Sequence, residues 1–191
     1  MAYKPPVVIY DACVLYPFHL RNLLIQCAVD RLIDARWTDE IHDEWIRNLL
    51  ADNPGLAREA IERTRDLMNR VLPAALVVGY ESHIPKIAVK DPDDRHVVAA
   101  GIAARASLIV TWNVRDFPVK ELAKHGLVRL TPDELLMDLY AAVPELLIDA
   151  TARARVNLTK SAISPTDFLG ALDRQNLRRF TKTMTAHLNQ L

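Results

Sequence analysis

The stretch Asp91-Pro92-Asp93-Asp94-Arg95-His96-Val97-Val98-Ala99-Ala100 sets three carboxylates within four positions, at the entrance to an apolar, small-residue run. One Asp suffices to cap the free N–H groups of a helix start and to suit the positive end of its dipole. Three exceed that need. Other acids stand in similar isolation. Asp11 closes the run Val7-Val8-Ile9-Tyr10, Asn113 and Asp116 follow Leu108-Ile109-Val110-Thr111, and Glu44 borders the helical face set by Ile41 and Trp45. Carboxylates that converge raise one another's pKa unless a cation intervenes. Oxygen donors with retained waters suit magnesium or manganese rather than zinc, and Cys13 and Cys27 lack a paired metal-ligand spacing. An ion so held activates water and stabilises the leaving oxygen of an in-line phosphoryl displacement, which makes phosphodiester hydrolysis the leading chemistry.

These acids meet only if the elements between them alternate correctly. Short apolar runs at residues 7–10, 75–80, 107–111 and 127–130 read as buried parallel strands. Between them, a helix after Pro17 carries Leu20, Leu23, Leu24, Cys27 and Ala28 on one face, and another runs from the N-cap Thr38 to Asn53-Pro54. An arginine-rich helix follows, passing through Ile61, Leu67 and Val71 to Pro73. An alanine-rich helix spans about residues 94–106, and a shorter one about 119–124, ended by Gly126. The alternation predicts an α/β fold, a central parallel sheet with helices on both faces in three layers. In such sheets ligands bind beyond the carboxyl ends of the strands, where strand order reverses. Asp11, Asp94, Asn113 and Asp116 all fall at that edge.

After Leu130 only helices are expected, at about 132–142, 144–158, 165–173 and 175–189, with start signals at Thr131-Pro132-Asp133-Glu134 and Ser164-Pro165-Thr166-Asp167. The chain thus divides into residues 1–130 and a helical C-terminal extension, 131–191. Charge follows the same division. The 191 residues are neutral overall, but residues 151–191 hold seven basic side chains against two acidic ones, a net +5, leaving −5 on the remainder. An acidic body and a basic tail suggest two surfaces with different tasks. Apolar residues make up 50% and charged residues 25%, as in ordinary globular proteins. The first residues lack the apolar core of a signal peptide, no run approaches a membrane span, and two cysteines in apolar settings read as reduced thiols. The expectation is a soluble, cytoplasmic protein.

Four segments carry a family resemblance. Val8-Ile9-Tyr10-Asp11-Ala12-Cys13-Val14-Leu15-Tyr16-Pro17 resembles the first strand of PIN-domain nucleases, and Ile41-His42-Asp43-Glu44-Trp45-Ile46-Arg47-Asn48-Leu49 their glutamate-bearing helix. Asp91 to Ala100 and Val110-Thr111-Trp112-Asn113-Val114-Arg115-Asp116-Phe117-Pro118 resemble the remaining two motifs, in the same order over roughly residues 7–130. The resemblance implies a Mg2+- or Mn2+-dependent ribonuclease, most often the VapC-type toxin paired with a small DNA-binding antitoxin and often a homodimer. Carried over, the metal-binding acids fall on Asp11, Glu44 and Asp94, the last chosen because it stands five residues before Ala99. The sequence departs from the commoner pattern at Asn113, where many relatives have Asp. Asp116 resembles the fourth acid of another subset, with Asn113 as a neutral ligand and Thr111 orienting a carboxylate or a water.

Other readings use the same residues. Arg21, Arg95, Arg115 and Lys90 could hold RNA phosphates, and Trp112 could stack on an unpaired base, yet each also suits ordinary packing or surface roles. An aspartyl-phosphate enzyme with Asp11 as nucleophile generally wants a second Asp two residues later, where this chain has Cys13. An interaction module that keeps the fold without catalysis is the third reading; acids at all four family positions weigh against it.

Overall fold

The apolar run at the start forms strand β1 (Val7–Tyr10), buried from Val8 onward. The computed structural model describes residues 3–159 and 162–191; the first two residues, and Lys160 of the basic tail, lie outside them. β1 is flanked by β2 (Asp34–Arg36) and β3 (Leu108–Val110), and β4 (Val128–Leu130) completes a sheet of order β2-β1-β3-β4. Every pair is parallel, with Val8 opposite both Ala35 and Leu108, and Leu108 opposite Val128. The crossover from β1 to β2 travels one way and that from β2 to β3 the other. Right-handed connections therefore put their helices on opposite faces. The reversal falls between β1 and β3, which places Asp11 and Thr111 side by side at the carboxyl edge.

One face is built on α2 (Phe18–Val29), which follows the single turn α1 (Ala12–Leu15). Leu20, Arg21, Leu23, Leu24, Gln26, Cys27 and Ala28 are all buried, so α2 is covered on more than its sheet side. A helix apolar nearly all round is an interior helix. The cover comes from the extension, which comprises α7 (Pro132–Ala142), α8 (Pro144–Val156), α9 (Pro165–Asp173) and α10 (Arg178–Met184). Asn22 donates to the Ala154 carbonyl at 2.7 Å, Asn157 to Gln26 Oε1 at 2.8 Å, and Arg153 Nε to Asp30 at 3.0 Å. The buried apolar residues of body and extension form one continuous core.

The remaining helices are α3 (Asp39–Asp52), α4 (Arg58–Val71), α5 (Arg95–Ala103) and α6 (Val119–Ala123). The Thr38 hydroxyl accepts from the Ile41 N–H at 3.1 Å, fixing where α3 starts. α5 lies close on the sheet because Gly101 has no Cβ; one there would stand 3.1 Å from a Leu127 methyl.

Three expectations need correction. Residues 75–80 form no strand: Pro73–Ala75 make a 3-10 turn, only Leu76 bridges to Trp37, and Gly79 turns the chain at φ 73°. The strand beside β1 is the polar Asp34–Arg36, whose Arg36 side chain folds back on Asp34. The last helix is shorter than 175–189. Asn176 takes φ 66°, α10 starts only at Arg178, and Thr185–His187 tightens to 3-10 geometry. On α4, Met68 is the buried contact, while Leu67 and Val71 face outward.

Candidate functional site

Asp11 leaves β1 with its backbone still tied to the sheet, its N–H donating to the Val110 carbonyl at 3.1 Å. It is only 2% exposed. Thr111, at the end of β3, donates its hydroxyl to Asp11 Oδ2 at 2.5 Å and accepts from the Asn113 N–H at 2.8 Å. The Cys13 thiol donates to the same carboxylate oxygen at 3.1 Å, and its sulfur accepts from the Trp112 N–H at 3.2 Å. Two strand ends are thereby locked through one carboxylate. Burial raises the Asp11 pKa, the Thr111 and Cys13 bonds oppose that rise, and the nearby Glu44 charge adds to it. Burial and the Asp11 charge push the Cys13 thiol far above its usual range, so it is a protonated donor.

Asp94 stands as the residue before α5, half-buried, and its side chain makes no capping hydrogen bond. Its carboxyl is pushed up to about 7, first by burial, then by Asp11, Asp91, Asp116 and Glu44 in that order. The structure therefore brings Asp11, Glu44, Asp94 and Asp116 within electrostatic reach of one another. Asp91 performs a structural task as well, accepting from the Asp93 N–H at 3.0 Å to cap the turn Pro92–Asp94. Asp93 is exposed.

Glu44 lies on the cleft side of α3, in an open hollow of about 380 Å³ lined by Cys13, Tyr16, Asn48, Asp52 and the exposed Asn113. Asp116 is reached by Lys90, whose Nζ lies 3.7 Å from Oδ1. Among the described residues, no three His, Cys, Asp or Glu side chains are drawn tightly enough to form a ready-made ligand cage. The donors are carboxylate oxygens set around a shared space, and their mutual repulsion shows in Asp94. That chemistry fits a hard divalent cation that keeps several waters.

Three neighbours of the site, read from the sequence as structural residues, gain contacts there. Cys13, two residues past the strand-ending Asp11, lies on that carboxylate. His96 is buried with ring nitrogens 3.7 Å from Glu40 and 3.7 Å from Glu44, and its Nδ1 has no hydrogen-bond partner among the described residues. Glu40, one turn before Glu44, also accepts from the Tyr80 hydroxyl at 3.1 Å.

Of the suggested phosphate ligands, Arg21 is misplaced for that role. It is 6% exposed, donates to the Leu15 and Tyr16 carbonyls, and lies 4.6 Å over the Trp45 ring. Arg115 and Lys90 are exposed, Arg95 and Trp112 half-buried.

Among the described residues, no helix is long and apolar enough to cross a membrane. The family model for the VapC50 C-terminal domain matches residues 132–186. A Mycobacterium tuberculosis (strain ATCC 25618 / H37Rv) protein named "Putative ribonuclease VapC50" is 35% identical over 72 residues, 38% of this chain. The match covers only 40% of that relative's length. No solved structure gives a significant match. The PIN domain model matches residues 7–115, more than half of the chain, a span that holds Asp11, Glu44 and Asp94 and ends one residue before Asp116. The chain belongs to the PIN domain family.

Proposed function

We propose that this protein is an endoribonuclease that uses Mg2+ or Mn2+ to hydrolyse RNA phosphodiester bonds. In this reading it acts as the toxin of a toxin–antitoxin pair in the cytoplasm. The observation that carries the proposal is the placement of Asp94. Its carboxyl is raised to about 7 by burial and by other acids, at the edge where strand order reverses. An arrangement that holds like charges together in the folded state has a use when a cation joins them. Asp11, Glu44, Asp94 and Asp116 would hold the ion, with Asn113 as a neutral oxygen donor. The bound ion supplies water activation and neutralises charge on the phosphate.

The chain's own residues do the rest. Thr111 and Cys13 fix the rotation of the Asp11 carboxylate. Arg95, Arg115 and Trp112 stand where an RNA strand would lie. Residues 1–130 form the nuclease unit and 131–191 an extension that braces it. A small DNA-binding antitoxin is the expected partner; homodimers are frequent in the family that the sequence resembles. The name of the relative, which includes the word ribonuclease, is consistent with this reading.

The test is RNA cleavage by purified, antitoxin-free chain with Mg2+ or Mn2+, against the same protein in chelator and against Asp11→Asn. Cleavage confined to the metal-containing native sample supports the proposal. Folded native protein that leaves RNA intact with both metals would falsify it.

A further inference from the structure

The extension carries seven basic side chains, and the surroundings of the six among the described residues divide them sharply. Arg153 is paired with Asp30, and Arg155 donates to the carbonyls of Leu191 at 2.6 Å and Ile163 at 2.9 Å. Those two brace the fold. Arg174, Arg178, Arg179 and Lys182 are exposed, and among the described residues none of the four makes an ion pair. Four cations within nine residues, several of them three or four apart, repel one another. Packing gives no reason for that arrangement.

Their position does. The turn between α9 and α10 is fastened at two points. Gln175 Oε1 accepts from the Leu20 N–H at 2.9 Å, capping the first turn of α2. The Asp133 carboxylate, in the first turn of α7, accepts from the Arg179 N–H at 3.2 Å and the Phe180 N–H at 2.9 Å, capping α10 in return. α2 begins shortly after the end of β1 and α7 directly after the end of β4, so both fastenings lie at the carboxyl edge of the sheet. That is the edge of Asp11 and Asp94. Side-chain electrostatics agree. Burial and then the Arg174 charge hold His19 below its usual pKa, and the Arg179 charge contributes, after the Thr131 hydrogen bonds, to lowering Glu134. With strands about 4.8 Å apart, the end of β4 lies roughly 10 Å from that of β1.

We propose that the α9–α10 turn, through Arg174, Arg178 and Arg179 with Lys182 one turn on, is a phosphate-binding rim that holds the RNA strand beside the acidic site. The inference rests on the nuclease reading above. An acidic edge repels a polyanion, and cations supplied by a second element offset that repulsion without neutralising the acids. The contacts are to phosphates, so they contribute affinity and orientation rather than base choice.

The experiment compares the full-length native chain, the variant R174Q/R178Q/R179Q and its charge-keeping partner R174K/R178K/R179K, all in Mg2+, on a fluorescently labelled RNA hairpin. Equal melting temperatures establish that each is folded. Binding is read in the same three backgrounds carrying Asp11→Asn, by anisotropy across a salt series. The Gln variant is expected to raise KM by tenfold or more with kcat little changed. It should also flatten the dependence of log affinity on log salt by about 2, at about 0.7 per single-strand phosphate contact. The Lys variant should recover most of both. Native cleavage with a Gln variant that matches it in KM and salt slope overturns the rim and leaves the nuclease reading standing. A native chain that neither binds nor cuts the hairpin overturns both.

Discussion

Helix α3 presents two faces with opposite electrostatics. Toward the carboxyl edge it offers Glu44 to a space shared with Asp11, Asp94 and Asp116, where like charges together with burial raise the Asp94 pKa. On the other side, His42 sits in a closed network. Trp45 Nε1 donates to His42 Nδ1 at 3.0 Å, His42 Nε2 lies 3.1 Å from Asn69 Oδ1, and Trp37 Nε1 donates to the same oxygen at 2.7 Å. The two indole donors assign the tautomer: Nδ1 accepts, so Nε2 carries the proton. One face joins its ring nitrogens in hydrogen bonds and the other gathers carboxylates that repel one another. Glu44 and Asp94 are half-buried and His42 is buried, so burial does not separate structural from functional groups here. Converging like charge does.

The contrast breaks most visibly in activity. Asp94→Asn should reduce RNA cleavage at least about 100-fold, the scale of losing one electrostatic group at a reacting centre; a variant with near-native rates in a single-turnover assay would remove Asp94 from the site. Next is the metal response. Saturating Mg2+ or Mn2+ should stabilise the native chain by up to about 2.7 kcal/mol at a hundredfold excess over the dissociation constant. Thermal melts of Asp94→Asn should show that response largely gone.

On the opposite face, His42→Ala should cost about 2 kcal/mol in urea unfolding, because the Trp45 N–H and Asn69 oxygen lose a buried partner. The two faces also pull stability in opposite directions with pH. Asp94 is raised to about 7 from an ordinary value near 3.9, so in chelator the folded state holds the extra proton and stability falls as pH rises from about 4 to 7. His42 is lowered to about 4, chiefly by burial, so the unfolded chain holds the extra proton and stability falls as pH drops from about 6.5 to 4. The slopes oppose each other across nearly the same window. Asp94→Asn should expose the His42 slope, and His42→Gln the Asp94 slope. Two variants with the same pH profile would refute the contrast. The smallest effect expected is about 1 kcal/mol for Asp133→Ala, which removes a helix cap but no charge conflict; an unchanged urea midpoint would show the α10 fastening to be idle.

The sequence made some of this readable and hid the rest for identifiable reasons. β1 and β3 stand out because strands buried on both faces are continuously apolar, and their ends declare themselves in Asp11 and Thr111. β2 is hidden because it is three residues long with only Ala35 buried, so Asp34 and Arg36 make it look like loop. Residues 75–80 mislead for the converse reason: an apolar run that packs its side chains need not pair its backbone. In the site, the carboxylates announce themselves by type. Cys13 and His96 do not, since their roles depend on distances set by α1, α3 and α5 rather than on spacing. The basic turn was visible as charge, while its location required the Gln175 and Asp133 fastenings.

α2 has a consequence for how the protein comes into being. One of its sides rests on strands that are complete by residue 36, while its other side waits for α8, more than a hundred residues further along. During synthesis at about 5–20 residues per second, that second side stays uncovered for several seconds after α2 emerges. Leu20 and its neighbours are then open to any holding protein, and the final closure of the core coincides with arrival of the basic turn at the acidic edge. The order of emergence thus ties completion of the fold to arrival of the proposed phosphate rim.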